Sequence, residues 1–365
     1  MAIRIDAKEL LDVLRLTPPE QNVMLLGKHG IGKSEIIRWF YEHERCMQVV
    51  AFFLGQMSDP GDLIGLMHKD EATGRSIFLP PYWWPVDGKP IVLFLDELNR
   101  ARPEILQSVH ELALNQTLAG KRLPDGSIVV SAVNAGDEYQ LTDLDPALVS
   151  RFNLYEFAPT VEDWLLWATA HDVDPRVTAF IQQNNQYLDG DETAADEDAL
   201  TAHAGLVKTP DRRAWVKVAN FVKPLERIDD LHIKIIAGMV GTSAALMFKK
   251  GLARALPVTA EDVLLRLDTC KKRLKDLSLQ DLVLVNEQIV FWLNAGRCPA
   301  GQEDTARANL LAYMKHLQGA KQREAVAHLA AMLEHPKYEK AMTFTAASLP
   351  IVELLSDYIK GIKVD

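Results

Sequence analysis

The sequence has only three cysteines, Cys46, Cys270 and Cys298, an odd number set far apart. That excludes a disulfide framework and the paired spacing of a zinc knuckle. No apolar run is long enough and free enough of charge to span a bilayer. The opening residues, Met1 to Asp6, hold no secretory h-region, so the expected location is cytoplasmic. Positive charge is also short. Forty Lys and Arg against 50 Asp and Glu give a net charge of −10, which speaks against a broadly basic nucleic-acid surface but leaves room for a local groove. Serine and cysteine triad signatures are missing, and His110-Glu111 lacks the second histidine of a zincin. His328 and His335 share one expected helix face without a third ligand, so they read as solvated or capping. Asp189, Asp191, Glu192, Asp196, Glu197 and Asp198 have no basic residue nearby in sequence and read as a solvated loop. No fixed-period repeat is present.

What the chain does have is Gly27-Lys28-His29-Gly30-Ile31-Gly32-Lys33-Ser34, which fits the phosphate-loop pattern G-x-x-x-x-G-K-[ST] at every fixed position. Apolar Val23 to Leu26 precede it as a strand, and the spacing from Glu35 onward predicts a helix. Glycine permits positive φ and close approach of backbone N–H groups to phosphate oxygens at the helix's positive end. Gly27, His29, Gly30, Ile31, Gly32, Lys33, Ser34 and Glu35 are therefore candidate nucleotide contacts. Lys33 is expected to reach the β- and γ-phosphates and Ser34 to hold Mg²⁺.

At 365 residues the chain exceeds one typical domain. One short helix over residues 6–16 comes first, and residues 47–54 read as a second strand. Residues 63–90 read as a hairpin insertion ending in Trp83 and Trp84, which either plug it against the core or contact a substrate. Ile91 to Leu95 form a strand ending in Asp96 and Glu97. Ligands of parallel sheets sit at the carboxyl ends of strands, so Asp96 is placed on the metal and Glu97 as the base that polarises water. A plain N-cap, by Asp96 or Asn99, is the structural alternative. A helix follows Pro103, then a polar hairpin over residues 115–127 with Lys121 and Arg122 at its tip. The strand over residues 128–133 ends at Asn134, which either orients the water or caps the loop. Arg151 closes a short helix before a fifth strand, and on the residues alone it is as much a surface arginine as an arginine finger. Beyond Pro159 the pattern is helical, including one helix over residues 231–248 in which Gly238 and Gly241 would permit close packing.

These residues resemble AAA+ ATPases, and within them the MoxR-like branch. The resemblance runs from about residue 20 to 250 and rests on GKHGIGKS, IVLFLDELNRA, SAVNAGD and LDPALVSRF, with Ser58-Asp59-Pro60 and the insertion as MoxR-like features. It implies an α/β core of five parallel strands over residues 1–158 and a helical lid over 159–251, whereas residues 252–365 match nothing in the family and read from their pattern as a further helical region. By the same resemblance Lys33 and Ser34 are the Walker A pair, Asp96 and Glu97 the Walker B pair, Asn134 sensor 1 and Arg151 a finger acting in the neighbouring subunit's site. Thr209 to Trp215 is similar to the sensor 2 element but interrupted, which favours Arg213 and keeps Arg212 open. The family implies a ring, usually of six subunits, using ATP and Mg²⁺ to remodel a protein client, often beside a protein with a von Willebrand factor A domain. The alternatives are a nucleic-acid-stimulated motor and a nucleotide-gated scaffold.

Overall fold

The apolar runs become strands wherever the sequence places them, and one more strand joins the sheet. The computed structural model describes residues 2–134, 144–190, 208–252, 258–320 and 322–362. It divides into two units, Met1–Thr160 and Val161–Asp365.

In the first unit β1 (Ile3–Ile5), β2 (Asn22–Gly27), β3 (Gln48–Phe53), β6 (Ile91–Asp96), β9 (Ile128–Asn134) and β10 (Phe152–Phe157) form a parallel sheet in the order β1-β10-β2-β9-β6-β3. The expected count of five is thus corrected to six. The added strand is three residues long, too short for periodicity to reveal, and pairs at the edge with Ile3 opposite Tyr155. Every residue of β6 is buried because both faces of the sheet are covered. Met24, Leu93 and Leu95 pack on one side with Ile105 and Val109 of the helix Pro103–Asn115. Val23, Leu25, Val92 and Phe94 pack on the other with Leu10, Ile37 and Phe40.

The insertion is a hairpin of β4 (Leu66–Lys69) and β5 (Ser76–Leu79), with Leu66 opposite Leu79. Trp83 is buried edge-on against Phe52 with ring centroids 5.4 Å apart, and Trp84 packs on the same core, which favours the plug over the substrate-contact reading. In the second hairpin, β7 (Thr117–Leu118) and β8 (Lys121–Arg122) flank Ala119 and Gly120. Lys121 and Arg122 therefore lie in the returning strand rather than at the tip, and Arg122 faces Asp125 at 3.8 Å.

One continuous apolar core runs through the helical unit, from Trp164 and Trp215 to Leu329 and Leu355, so the expected lid and tail segments share it. The helix expected over residues 231–248 is two, Asp230–Val240 and Thr242–Leu252. Gly241 breaks it at φ 87°, and a Cβ there would lie 2.4 Å from the Lys208 carbonyl oxygen. Gly238 meets nothing within 4 Å, so it mediates no packing among the described residues. Asp189 is not a solvated acid without a basic partner, as expected: Arg212, buried at 7% exposure, donates to it at 2.8 Å across 23 residues of sequence. Residues 191–198 of that acidic run lie outside the described residues. His335 stands just beyond the helix Arg323–Glu334, where its ring accepts from the Lys337 N–H, in keeping with a capping role.

Lys337 joins the two ends of this unit, pairing with Glu162 and Asp163 of the helix Val161–Ala170 at 2.8 Å each. Burial opposes its charge, yet hydrogen bonds to Asp163 and Glu162 hold its pKa above the ordinary lysine value. Its contribution is therefore full at neutral pH and is lost only as alkali titrates it. Lys337→Met removes the cation beside the buried Asp163 carboxylate. It is expected to destabilise the helical unit by about 3 kcal/mol, read as a lower denaturant midpoint at unchanged m-value.

Candidate nucleotide site

Side chains separated by as many as 101 residues meet at the carboxyl edge of the sheet. β9 lies between β2 and β6, with Asn134 in register with Gly27, so the loop, the amide and the carboxylate of Asp96 end side by side. The helix Lys33–Trp39 starts from Gly32 at φ 95°, and no side chain caps its first turn. Its first N–H groups are therefore left to an anion. Gly30 also has positive φ, at 73°. Gly27 is required for a different reason, since a Cβ there would lie 2.8 Å from the Phe157 carbonyl oxygen and 2.7 Å from Ile31 Cδ1. Ile31 is half-buried, while His29 and Glu35 are exposed at the rim.

Lys33, buried to 6% exposure, donates from Nζ to the Gly27 and Lys28 carbonyl oxygens at 2.8 Å and to Asn134 Oδ1 at 2.9 Å. Ser34 Oγ donates to Asp96 Oδ2 at 2.8 Å, and the other Asp96 oxygen accepts the Glu97 N–H at 2.9 Å. The Ser34–Asp96 oxygen separation is close to the edge of an octahedron with Mg²⁺–O bonds of about 2.1 Å, and two hard oxygens are the protein share such an ion takes beside phosphate and water. The residues therefore fit Mg²⁺, which Ser34 and Asp96 would hold and which would there neutralise charge on phosphate oxygens.

Glu97 directly follows β6 in the left-handed region, φ 55° and ψ 41°. Its Oε1 accepts from Arg100 Nη1 at 3.0 Å. Asn99 is buried and donates to the Asn134 carbonyl oxygen at 3.1 Å, which fixes the end of β9 and is a tie rather than an N-cap. Asn22, at the start of β2, donates to the carbonyl oxygens of Ala113 and Arg151 at 2.7 and 3.0 Å. The structure adds Arg100 to the cluster, whereas Asn22 lies at the opposite, amino edge of the sheet, where it ties backbone. The three-residue spacing of Glu97 and Arg100 was a usable signal for one, whereas nothing local marked Asn22.

Arg151 follows the helix Pro146–Val149 and stands outside this cluster. Its Nη1 donates to the Ala147 carbonyl oxygen, and its buried Nε finds no acceptor among the described residues. In the helical unit, Arg213 is exposed in the first turn of the helix Arg212–Val222, whereas Arg212 is committed to Asp189.

A central phosphate loop, a neighbouring strand that ends in an amide and the next ending in carboxylates define the AAA+ P-loop fold, the architecture of an ATPase domain. Residues 22–152 match the family model of the AAA domain (dynein-related subfamily). Over 141 residues the chain is 29% identical to "Putative chaperone BssE" of Thauera aromatica, covering 36% of this chain and 48% of BssE, about half its length. Among solved structures, the Thermotoga maritima RuvB Holliday junction branch migration motor is 12% identical, with 67% of each chain covered and a TM-score of 0.36. NtrX from Brucella abortus in complex with ATP is 15% identical, covering 88% of this chain and 69% of that one, with a TM-score of 0.38.

Proposed function

We propose that this protein is a MoxR-like AAA+ ATPase that binds MgATP at residues 27–34, hydrolyses it in a ring of six like subunits, and uses the cycle to remodel or activate a protein partner. The observation that carries the reading is a set of two hydrogen-bonded pairs, Lys33 with Asn134 and Ser34 with Asp96, at the carboxyl edge of one sheet. Lys33 takes the β- and γ-phosphates, Ser34 and Asp96 hold Mg²⁺, and Asn134, freed from Lys33, orients the attacking water. Glu97 accepts the proton of that water as its oxygen attacks the γ-phosphorus and the bond to ADP breaks. Arg151 acts in the neighbouring site, and Arg213 takes the sensor 2 role because Arg212 is engaged elsewhere.

A client-directed role agrees with the name that BssE carries and with the net charge of −10, which disfavours nucleic acid as the partner. A protein with a von Willebrand factor A domain is the companion the MoxR-like reading suggests, and the cytoplasm is the compartment. No helix among the described residues is long and apolar enough to cross a membrane.

Glu97→Gln is expected to keep ATP affinity while lowering turnover by about 100-fold or more, the usual worth of a general base. Affinity capture with this variant, with and without ATP, should retain the partner only with ATP. Intact partner activation by the variant would support the scaffold instead, and turnover stimulated by DNA with a steep salt dependence would support the nucleic-acid motor.

A further inference from the structure

The last residues of β9 have a strand neighbour on one side only. Ala132, Val133 and Asn134 pair with Leu25, Leu26 and Gly27 of β2. On the other side the ladder with β6 closes at Leu95 and Ser131, where Ser131 Oγ donates to the Leu95 carbonyl oxygen at 3.0 Å. β6 then ends at Asp96, and Glu97 turns the chain out of the strand at φ 55° and ψ 41°. Beyond that point a side chain takes over. Asn99, in the turn Leu98–Arg100, donates from Nδ2 to the Asn134 carbonyl oxygen at 3.1 Å. Its amide N–H thus does for β9 what a backbone N–H of a longer β6 would do, and it satisfies a carbonyl of a residue only 9% exposed.

Asn99 is itself 2% exposed, and its Oδ1 finds no partner among the described residues. A buried amide that uses only its donor adds little net stability, because the unpaired acceptor offsets the bond that the donor makes. The weight of the contact therefore falls on placement. Asn134 is held by its carbonyl to Asn99, and its side-chain Oδ1 accepts from Lys33 Nζ at 2.9 Å, so the residue is fixed at two points. The turn that carries Asn99 starts directly after Glu97. Glu97 and Asn134, the two groups proposed to handle the attacking water, are thus set relative to each other by one short turn.

Taking Asn134 as the residue that orients the water, as proposed above, we infer that Asn99 is its positioning residue. Its hydrogen bond is to the Asn134 main chain, so it acts on the water through Asn134 and leaves the phosphate loop alone. Loss of the donor lets the end of β9 shift against the turn after β6, and displacing a reacting group by about 1 Å costs up to about 100-fold in rate. Lys33 keeps the Gly27 and Lys28 carbonyl oxygens as partners, so nucleotide affinity is spared.

The test is steady-state hydrolysis by the full chain across MgATP concentrations, beside thermal unfolding. Asn99→Leu, close in shape but without the donor, is expected to lower kcat about tenfold, with KM within about twofold and a thermal midpoint near the parent's. Asn134→Ala should lower kcat at least as much. Adding Asn99→Leu to Asn134→Ala should lower it no further, since the group being positioned is gone. A merely structural role would instead lower the midpoint and reduce kcat by the same factor in both backgrounds. Asn99→Ser, whose hydroxyl is too short to reach the carbonyl, decides by the same criteria if Asn99→Leu fails to fold. Parental kcat in folded Asn99→Leu, or an equal loss in both backgrounds, overturns the positioning role. Parental kcat in Asn134→Ala alone would instead overturn the role of Asn134, so the two failures are distinguishable.

Discussion

Lys33→Ala is expected to weaken ATP binding by at least about 100-fold. An ammonium on two phosphates makes charge-assisted hydrogen bonds worth about 1.5–3 kcal/mol each, and each 1.4 kcal/mol is tenfold in affinity. Part of that gross gain is offset. The ammonium must first leave the Gly27 and Lys28 carbonyl oxygens and Asn134 Oδ1, which it satisfies at 2.8 to 2.9 Å. A second consequence follows from the role proposed for Lys33: residual ATP bound by the variant should turn over more slowly than occupancy alone explains, because the cation on the γ-phosphate is gone. Equilibrium titration with ATP, beside far-ultraviolet circular dichroism to confirm the fold, checks the first point, and ordinary affinity in a folded variant would sink it.

Arg151→Ala is expected to leave ATP affinity within about twofold of the parent and to lower turnover about 1,000-fold, the lower range for a finger that neutralises transition-state charge. Within one chain the guanidinium is poorly satisfied: Nη1 reaches the Ala147 carbonyl oxygen, and the buried Nε has no acceptor among the described residues. Its backbone is nonetheless held, since the Arg151 carbonyl oxygen accepts from the Asn22 amide at 3.0 Å. A well-placed backbone with an underused cation is the arrangement expected of a group that serves a neighbour. Mixing subunits provides the sharper measurement. Lys33→Ala chains keep the finger and lose the nucleotide, whereas Arg151→Ala chains keep the nucleotide and lose the finger. Mixed assemblies should recover part of the turnover that neither variant has alone, and turnover per subunit that stays at the level of the separate variants would refute a finger acting between subunits.

The phosphate loop and the carboxylate pair were legible because each is local. Strand, turn and helix occupy adjacent residues, and Gly27, Lys33, Ser34, Asp96 and Glu97 announce themselves by type and spacing. The six-residue core strands were equally plain, since burial on both faces writes a continuous apolar run such as Ile91 to Leu95. The three-residue β1 was not, as its pairing energy comes wholly from Tyr155, Glu156 and Phe157 across the sheet. Gly241 looked like a packing glycine inside one helix, and only the approach of Lys208 shows that it ends that helix.

By itself, then, the sequence determined the chemistry available: a phosphate-binding loop, a carboxylate pair at a strand end, an amide and candidate arginines. Tertiary structure decided which of these meet. Strand order put Asn134 opposite Gly27 and within reach of Lys33, and set Gly55 beside Glu97; in the helical unit, packing engaged Arg212 with Asp189 while leaving Arg213 exposed. The reason is physical. A motif constrains neighbours a few residues apart through backbone geometry, whereas these contacts join segments whose proximity is set by which strands hydrogen-bond and which side chains the shared core can bury.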